Sequence, residues 1–261
     1  IKNILVVRLS SMGDVILTTS FIRQLRDAYT DANIDFATAR PFADILRYNP
    51  RIDRLFEYDK SATQKEIIGK RDEFVKSGGI EKYDLSIDLQ KNLRSKMFLS
   101  GISGNTLYYK KRRLHKLSLV YRKKPFGPVI QIPEIYRRAG IPAGVRDDGK
   151  GLEIWLPEEK ISDHYPPFEK KHDISGNPKI AIAPGAKHFT KRWPKEKFLE
   201  LANKLMKENN ADIILLGGKE DEYICEFLEK ESSGKIKNHC GKTTIPETAR
   251  IVDGCDVLVT N

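Results

Sequence analysis

The sequence predicts an α/β fold of two domains, each a mostly parallel sheet covered by helices. Three observations lead there. Apolar runs of strand length alternate with amphipathic stretches along nearly the whole chain, as repeated βαβ units require. The alternation breaks once, over residues 157–178, where "PEEKISDHYPPFEKKHDISGNP" mixes proline, glycine and charge without periodicity. And 261 residues are enough for two domains that each bury a core, with 39% hydrophobic and 31% charged residues, the balance of a soluble globular chain. The expected layout is a first domain over residues 1–157, a linker over 158–178 and a second domain over 179–261.

The elements run in order along the chain. Residues 4–7 read as a buried strand, and Leu17, Phe21, Leu25 and Tyr29, four apart, mark one face of a helix. Residues 34–38 form a second strand, and 41–48 a short helix with Pro41 in its first turn. A third strand at 54–58 precedes a polar helix over 62–76 that stops at Gly78 and Gly79. "YDLSIDLQ" supplies the next strand, then a helix over 92–99, a strand near 106–109 and a helix leading to Gly140. After the break, "KIAIAPG" is a strand running into a loop. Helix 196–208, strand "ADIILLGG", helix 221–230, short strand "KIKNHCG", helix 245–252 and strand "CDVLVTN" complete the chain. An α/β domain rarely ends at the tip of a central strand, so the second domain is expected to be truncated.

Composition narrows the function. No apolar run approaches the roughly 20 residues that span a bilayer, and the N-terminus lacks a signal-peptide layout, so a cytoplasmic protein is expected. Cys225, Cys240 and Cys255 form no CxxC pair and have only His239 nearby, which favours buried thiols over a disulfide framework or a metal site. The net charge of +10 is unevenly placed: residues 89 to 133 hold no Asp or Glu but eleven cations, among them Lys110, Lys111, Arg112 and Arg113. Such a run is either a solvated face or a docking site for a polyanion or an anionic membrane. Nucleic acid is not expected, because no recognised binding module accompanies the charge.

Ligands of open α/β sheets bind beyond the carboxyl ends of the strands, so the loops after strands carry the site candidates. The first is "RLSSMGDVILTT", which matches neither GxGxxG nor the P-loop. Ser10, Ser11 and Asp14 can cap the following helix. Equally, an ionised Asp14 beside a flexible turn at Met12 and Gly13 can accept a proton from a hydroxyl nucleophile. The second, "AIAPGAKHFTKRWP", places Gly185, Ala186, Lys187, Lys191 and Arg192 before a helix that starts at Trp193 and Pro194, a seat for a diphosphate. Trp193 is either a packing anchor or a stacking platform. The third, "LLGGKEDE", ends a strand on Gly217 and opens a helix with Glu220 and Asp221, which either cap it or bind ribose hydroxyls. The fourth, "DLQKNLRS", sets Gln90 and Arg94 at a strand end beside the basic run.

Taken together, "SSMGDVILTTSFIRQLR", "YDLSIDLQKNLRS", "PGAKHFTKRWP", "ILLGGKEDE" and "TARIVDGCDVLVTN" resemble glycosyltransferase family 9, the ADP-heptose:lipopolysaccharide heptosyltransferases, in order over nearly the whole chain. The resemblance implies a GT-B fold of two Rossmann-like domains, the first for the acceptor and the second for the nucleotide sugar. It implies an inverting, metal-independent transfer with Asp14 as catalytic base and Lys191 at the departing diphosphate. Thr243 and Thr244 would line the nucleotide pocket, and Glu220 or Asp221 would bind ribose. No cofactor is implied beyond the donor, ADP-heptose. The acceptor would be an anionic lipopolysaccharide core, bound by Ser10, Ser11, Met12, Gly13, Gln90, Arg94, Lys110, Lys111, Arg112 and Arg113 and met by a monomer at the inner face of the cytoplasmic membrane. Where the family often carries small hydroxyl residues this chain has Ala186 and Lys187. The alternatives are the same fold with another nucleotide sugar, or an inactive relative that only binds nucleotide or anionic glycan.

Overall fold

A computed structural model describes residues 1–111, 113–124, 127–157, 176–186 and 188–261, with the backbone alone at 113–116. The chain divides into two units, Ile1–Trp155 and Leu156–Asn261. The expected linker falls almost entirely on residues outside the described ones.

The first unit is a five-stranded sheet in the order β3-β2-β1-β4-β5, with every pairing parallel: β1 (Asn3–Val7), β2 (Asn33–Ala39), β3 (Arg54–Tyr58), β4 (Leu85–Asp88) and β5 (Thr106–Tyr108). Parallel strands bury both faces, which is why Ile4, Leu5, Val6 and Val7 form an unbroken apolar run, each at most 1% exposed. Helices α1 (Met12–Ile16), α2 (Thr19–Ala28), α3 (Gln64–Ser77), α4 (Leu93–Leu99), α5 (Arg113–Arg122) and α6 (Ile132–Gly140) connect and cover the strands. One buried charge cluster crosses the sheet. Asp35 on β2 is fully buried, accepts from Arg54 opposite it on β3 at 2.5 Å and from the Tyr83 hydroxyl at 2.6 Å, and burial beside that carboxylate pushes the Tyr83 phenol up.

The helix expected through Leu17 is broken. Thr18 and Thr19 turn their hydroxyls back onto the carbonyls of Val15 and Ile16, at 2.6 and 2.8 Å, so α1 stops there and α2 starts afresh. The expected helix over 41–48 is a 3-10 segment, Arg40–Ile45, and α5 stands as an element with no separate sequence signal. Helix α6 packs against α2 at Gly140, where a Cβ would come within 2.7 Å of Val145 and 2.8 Å of Phe21, a closeness only glycine permits.

Arg23 on α2, nearly buried, gathers the end of the unit. Its guanidinium donates to Asp148 at 2.5 Å, Glu153 at 2.9 Å and the Gly151 carbonyl at 2.9 Å, and Arg51 also reaches Glu153 at 2.8 Å. The clasp holds a segment without secondary structure against α2.

The second unit is a parallel sheet ordered β8-β7-β6-β9: β6 (Lys179–Ala183), β7 (Asp212–Leu215), β8 (Ile236–Asn238) and β9 (Val257–Thr260), with α7 (Lys195–Asn209), α8 (Glu222–Glu231) and α9 (Ile245–Asp253) between them. Its core joins Ile182, Phe198, Ala202, Leu215, Cys225, Leu228 and Cys240. The three cysteines are buried free thiols, as their isolation in the sequence suggests. The helix expected from Asp221 begins one residue later, after a 3-10 turn over Lys219–Asp221. Among the described residues strand β9 pairs only with β6, and Val257 and Leu258 are half exposed.

The clasp predicts an acid sensitivity. Hydrogen bonding to Arg23, then to Lys150 N–H and Gln24, holds the Asp148 carboxyl well below its ordinary value against the opposing effect of burial. A depressed folded-state pKa contributes stability above the unfolded value of about 3.9 and loses it as pH falls further. Urea midpoints measured from pH 6 to pH 2.5 should therefore fall more steeply for the native chain than for Asp148→Asn. Parallel slopes would deny the clasp this role.

Candidate active site

The order of the first sheet fixes where a ligand can approach. The chain runs outward from β1 to β2 and β3 on one side and to β4 and β5 on the other, so the loops after β1 and β4 flank the switch point of the sheet. Both are tightly built. At the end of β4, Asp88 accepts from the backbone of Gln90 and Lys91, at 2.9 and 2.7 Å, and from the Ser95 hydroxyl at 2.7 Å, winding the chain into α4. Gln90 then reaches across: its amide oxygen accepts from the N–H groups of Leu9 and Ser10 at 3.1 and 3.2 Å. The sequence points to Gln90 and Ser10 as acceptor-binding residues; the structure employs both in joining the two loops.

Asp14 stands in the first turn of α1. Its Oδ2 accepts from the Ser11 hydroxyl at 3.1 Å and the Ser11 N–H at 3.3 Å, so the capping role is present. Met12 and Gly13 belong to the same helical turn, which corrects the flexible turn expected there, because Ser11 and Asp14 close the helix start around them. Capping does not exhaust the carboxylate. Arg8, directly after β1 and 7% exposed, forms an ion pair with Asp14 Oδ2 at 2.5 Å and donates to the Leu89 carbonyl at 2.5 Å. The Tyr136 hydroxyl lies 3.5 Å from Oδ1, and the guanidinium lies 5.6 Å from the Tyr136 ring centre. Burial pushes the Tyr136 phenol up, with the Arg8 charge opposing. The Asp14 side chain itself is 34% exposed. A carboxylate thus sits at the switch point, anchored through one oxygen and open to solvent.

Arg8 and Tyr136 escape a reading of the sequence alone. An arginine directly after an apolar strand was the available signal for Arg8; nothing in the spacing of α6 marks Tyr136. The other acceptor candidates divide. Lys110 and Lys111 line a cavity of about 660 Å³ with Lys91, Asn92, Leu93 and Lys96, and Lys111 donates to the Lys91 carbonyl at 2.6 Å. Arg94, exposed on α4, lines a different cavity of about 210 Å³ with Tyr58, Lys60 and Gln64. Arg112 lies outside the described residues, and Arg113 opens α5 with only its backbone described.

In the second unit the loops after β6 and β7 meet. The Asp221 carboxylate occupies the space a side chain at Gly185 would need, and it accepts from the Gly218 N–H at 3.1 Å. Gly217 is as confined: a Cβ there would lie 2.8 Å from Cys240 Sγ and 3.0 Å from Asp221 Cβ. Arg192 folds back, donating from Nε to the Ala186 carbonyl at 2.7 Å and from a terminal nitrogen to the Tyr223 hydroxyl at 2.8 Å. Asn261 ties the same loop, linking the Trp193 N–H and the Pro184 carbonyl, each at 2.6 Å. Lys191 ends a 3-10 turn and is exposed, as is Glu220; Lys187 lies outside the described residues. Trp193 packs edge-on against Phe198 with ring centres 4.8 Å apart, while remaining 44% exposed. Thr244 caps α9 by exchanging hydrogen bonds with Glu247, and Thr243 bonds Thr248 at 2.8 Å, so both hydroxyls already have partners. No cluster of three His, Cys, Asp or Glu side chains able to hold a metal occurs among the described residues.

The profile of glycosyltransferase family 9 (heptosyltransferase) matches residues 72–261, well over half of the chain. The chain belongs to glycosyltransferase family 9. Lipooligosaccharide heptosyltransferase 2 of Haemophilus influenzae is similar to it at 27% identity over 272 residues, covering 99% of this chain and 77% of the relative. Among solved structures, a family 9 glycosyltransferase from Veillonella parvula aligns with a TM-score of 0.78 at 24% identity, covering 100% of this chain and 76% of the other. E. coli heptosyltransferase WaaC with ADP-2-deoxy-2-fluoro heptose aligns with a TM-score of 0.71 at 19% identity, covering 99% and 82%. These likenesses place the two Rossmann-like units of this family 9 member in the GT-B fold.

The contact at Gly185 is testable. Gly185→Ala would drive a methyl into the Asp221 carboxylate, and overpacking of this kind costs about 1–3 kcal/mol. A urea midpoint lowered accordingly is the expected result; an unchanged midpoint would show that Asp221 moves aside freely.

Proposed function

We propose that this chain transfers heptose from ADP-heptose to an anionic lipopolysaccharide inner-core acceptor, with inversion and with Asp14 as the general base. The observation that carries the reading is the Asp14 carboxylate itself: it stands at the switch point of the first sheet, paired to Arg8 through one oxygen, in a chain of a heptosyltransferase family. One relative was solved with an ADP-heptose analogue, which supports the choice of donor.

In this mechanism Asp14 takes the proton of an acceptor hydroxyl while that oxygen bonds to the anomeric carbon. The bond from that carbon to the β-phosphate oxygen breaks, and ADP leaves with the electron pair. Lys191, Arg192 and the N-terminus of α7 offer positive charge to the departing diphosphate. Asp221 or its neighbour Glu220 accepts from ribose hydroxyls, and the Asp221 carboxylate beside Gly185, at the junction of two loops, supports that reading. The reaction as proposed uses no metal and no cofactor besides the donor. Among the described residues no helix is long and apolar enough to cross a membrane. The acid-free stretch over residues 89 to 133 supports the further reading that the chain works against the inner face of the cytoplasmic membrane, where phosphate and carboxylate groups attract Lys and Arg.

Two measurements check these assignments. Asp14→Asn should lower turnover by about 10²- to 10⁴-fold, the usual contribution of a general base, while ADP affinity by calorimetry stays as it was; full turnover in that variant would refute the base. Reversing residues 110–113 to glutamate should weaken use of a lipopolysaccharide acceptor and spare ADP binding. Equal loss of both would make the basic run a structural feature.

A further inference from the structure

Resting on the reading of Asp14 as the base, we propose that Arg8 is its positioning residue. Arg8 occupies Oδ2 and thereby makes Oδ1 the oxygen that receives the acceptor's proton.

The two carboxylate oxygens are treated differently. Oδ2 has three donors, namely the Arg8 terminal nitrogen at 2.5 Å and the hydroxyl and N–H of Ser11 at 3.1 and 3.3 Å. A carboxylate has about four acceptor sites over both oxygens, so a fourth donor at Oδ2 would have to displace one of these. Oδ1 accepts at most a long contact from the Tyr136 hydroxyl, at 3.5 Å, and so retains acceptor capacity that Oδ2 has lost.

Arg8 is itself fixed. Its second terminal nitrogen donates to the Leu89 carbonyl beyond β4, its backbone N–H donates to Ala37 on β2 at 3.0 Å, and its guanidinium lies beside the Tyr136 ring of α6. The base is therefore referenced to two strands and a helix, although it belongs to a five-residue helix that could not hold it alone. Lysine could supply the charge but not the fork that spans Leu89 and Asp14 together.

The test is a mutant cycle. ADP release from ADP-heptose in the presence of a lipopolysaccharide core acceptor is followed for the native chain, Arg8→Met, Arg8→Lys, Asp14→Asn and the double variant Arg8→Met with Asp14→Asn, and ADP affinity is measured for each. Loss of the reference should lower kcat by about 10²-fold in Arg8→Met, the scale of a misplacement near 1 Å, with ADP affinity unchanged. Arg8→Lys should fall between that variant and the native chain. In the Asp14→Asn background the Arg8 change should cost nothing more, because a positioning residue has then nothing to position. Losses that multiply in the double variant, or native kcat in Arg8→Met, would overturn the proposal while leaving the base in place. Native kcat in Asp14→Asn would instead remove the base, and Arg8's task with it. Should Arg8→Met fail to fold, Arg8→Lys alone and with Asp14→Asn completes the same cycle.

Discussion

A charged side chain buried at the tip of a parallel strand has few ways to be satisfied, and Arg8 is in that position. The surrounding backbone amides are committed to the sheet, so its guanidinium must find carbonyl or carboxylate oxygens beyond the strand ends. It finds one at Leu89 and one at Asp14. The two loops at the switch point are thereby joined by a single side chain, and Gln90 joins them again from the other direction. What the strand order opens as a crevice, these two residues keep at a defined width.

The second unit reaches a similar end by other means. Where the first unit uses long polar side chains, the loops after β6 and β7 close by removing side chains altogether: Gly185 and Gly217 let the Asp221 carboxylate and the Cys240 thiol come against backbone. The difference suits the proposed division of labour. A proton acceptor needs its orientation fixed by directional bonds, whereas a diphosphate is held by N–H groups that must be approached closely.

Several residues have structural partners and remain compatible with a chemical role. Ser11 and Asp14 close a helix start, Thr244 and Glu247 close another, and Asp221 accepts from Gly218. Capping fixes a carboxylate in space through one oxygen and leaves the second available. It leaves a small hydroxyl such as that of Thr244 with much less to offer a ligand.

Periodicity and composition alone determined the class of this protein. Apolar runs such as residues 4–7 could only be strands buried on both faces, and the single break after residue 156 already separated two units. Residues 54–58 were legible as a strand to the residue because Gly, Pro and Asp signals bound such runs locally. Also readable in one dimension was Asp14, since a helix start is a local feature. The break between α1 and α2 was not, because two threonine hydroxyls turned back on a helix that the apolar spacing continued. Nor was Tyr136, which meets Asp14 only once α6 lies over the first sheet, nor the aim of Arg8, which is set by the Leu89 carbonyl beyond β4 although Asp14 is only a few residues away. Local order writes strands, helices and caps into neighbouring residues; which distant carbonyl, hydroxyl or carboxylate each arginine and Asp14 reach depends on the packing of elements far apart in sequence, and that only the tertiary structure decided.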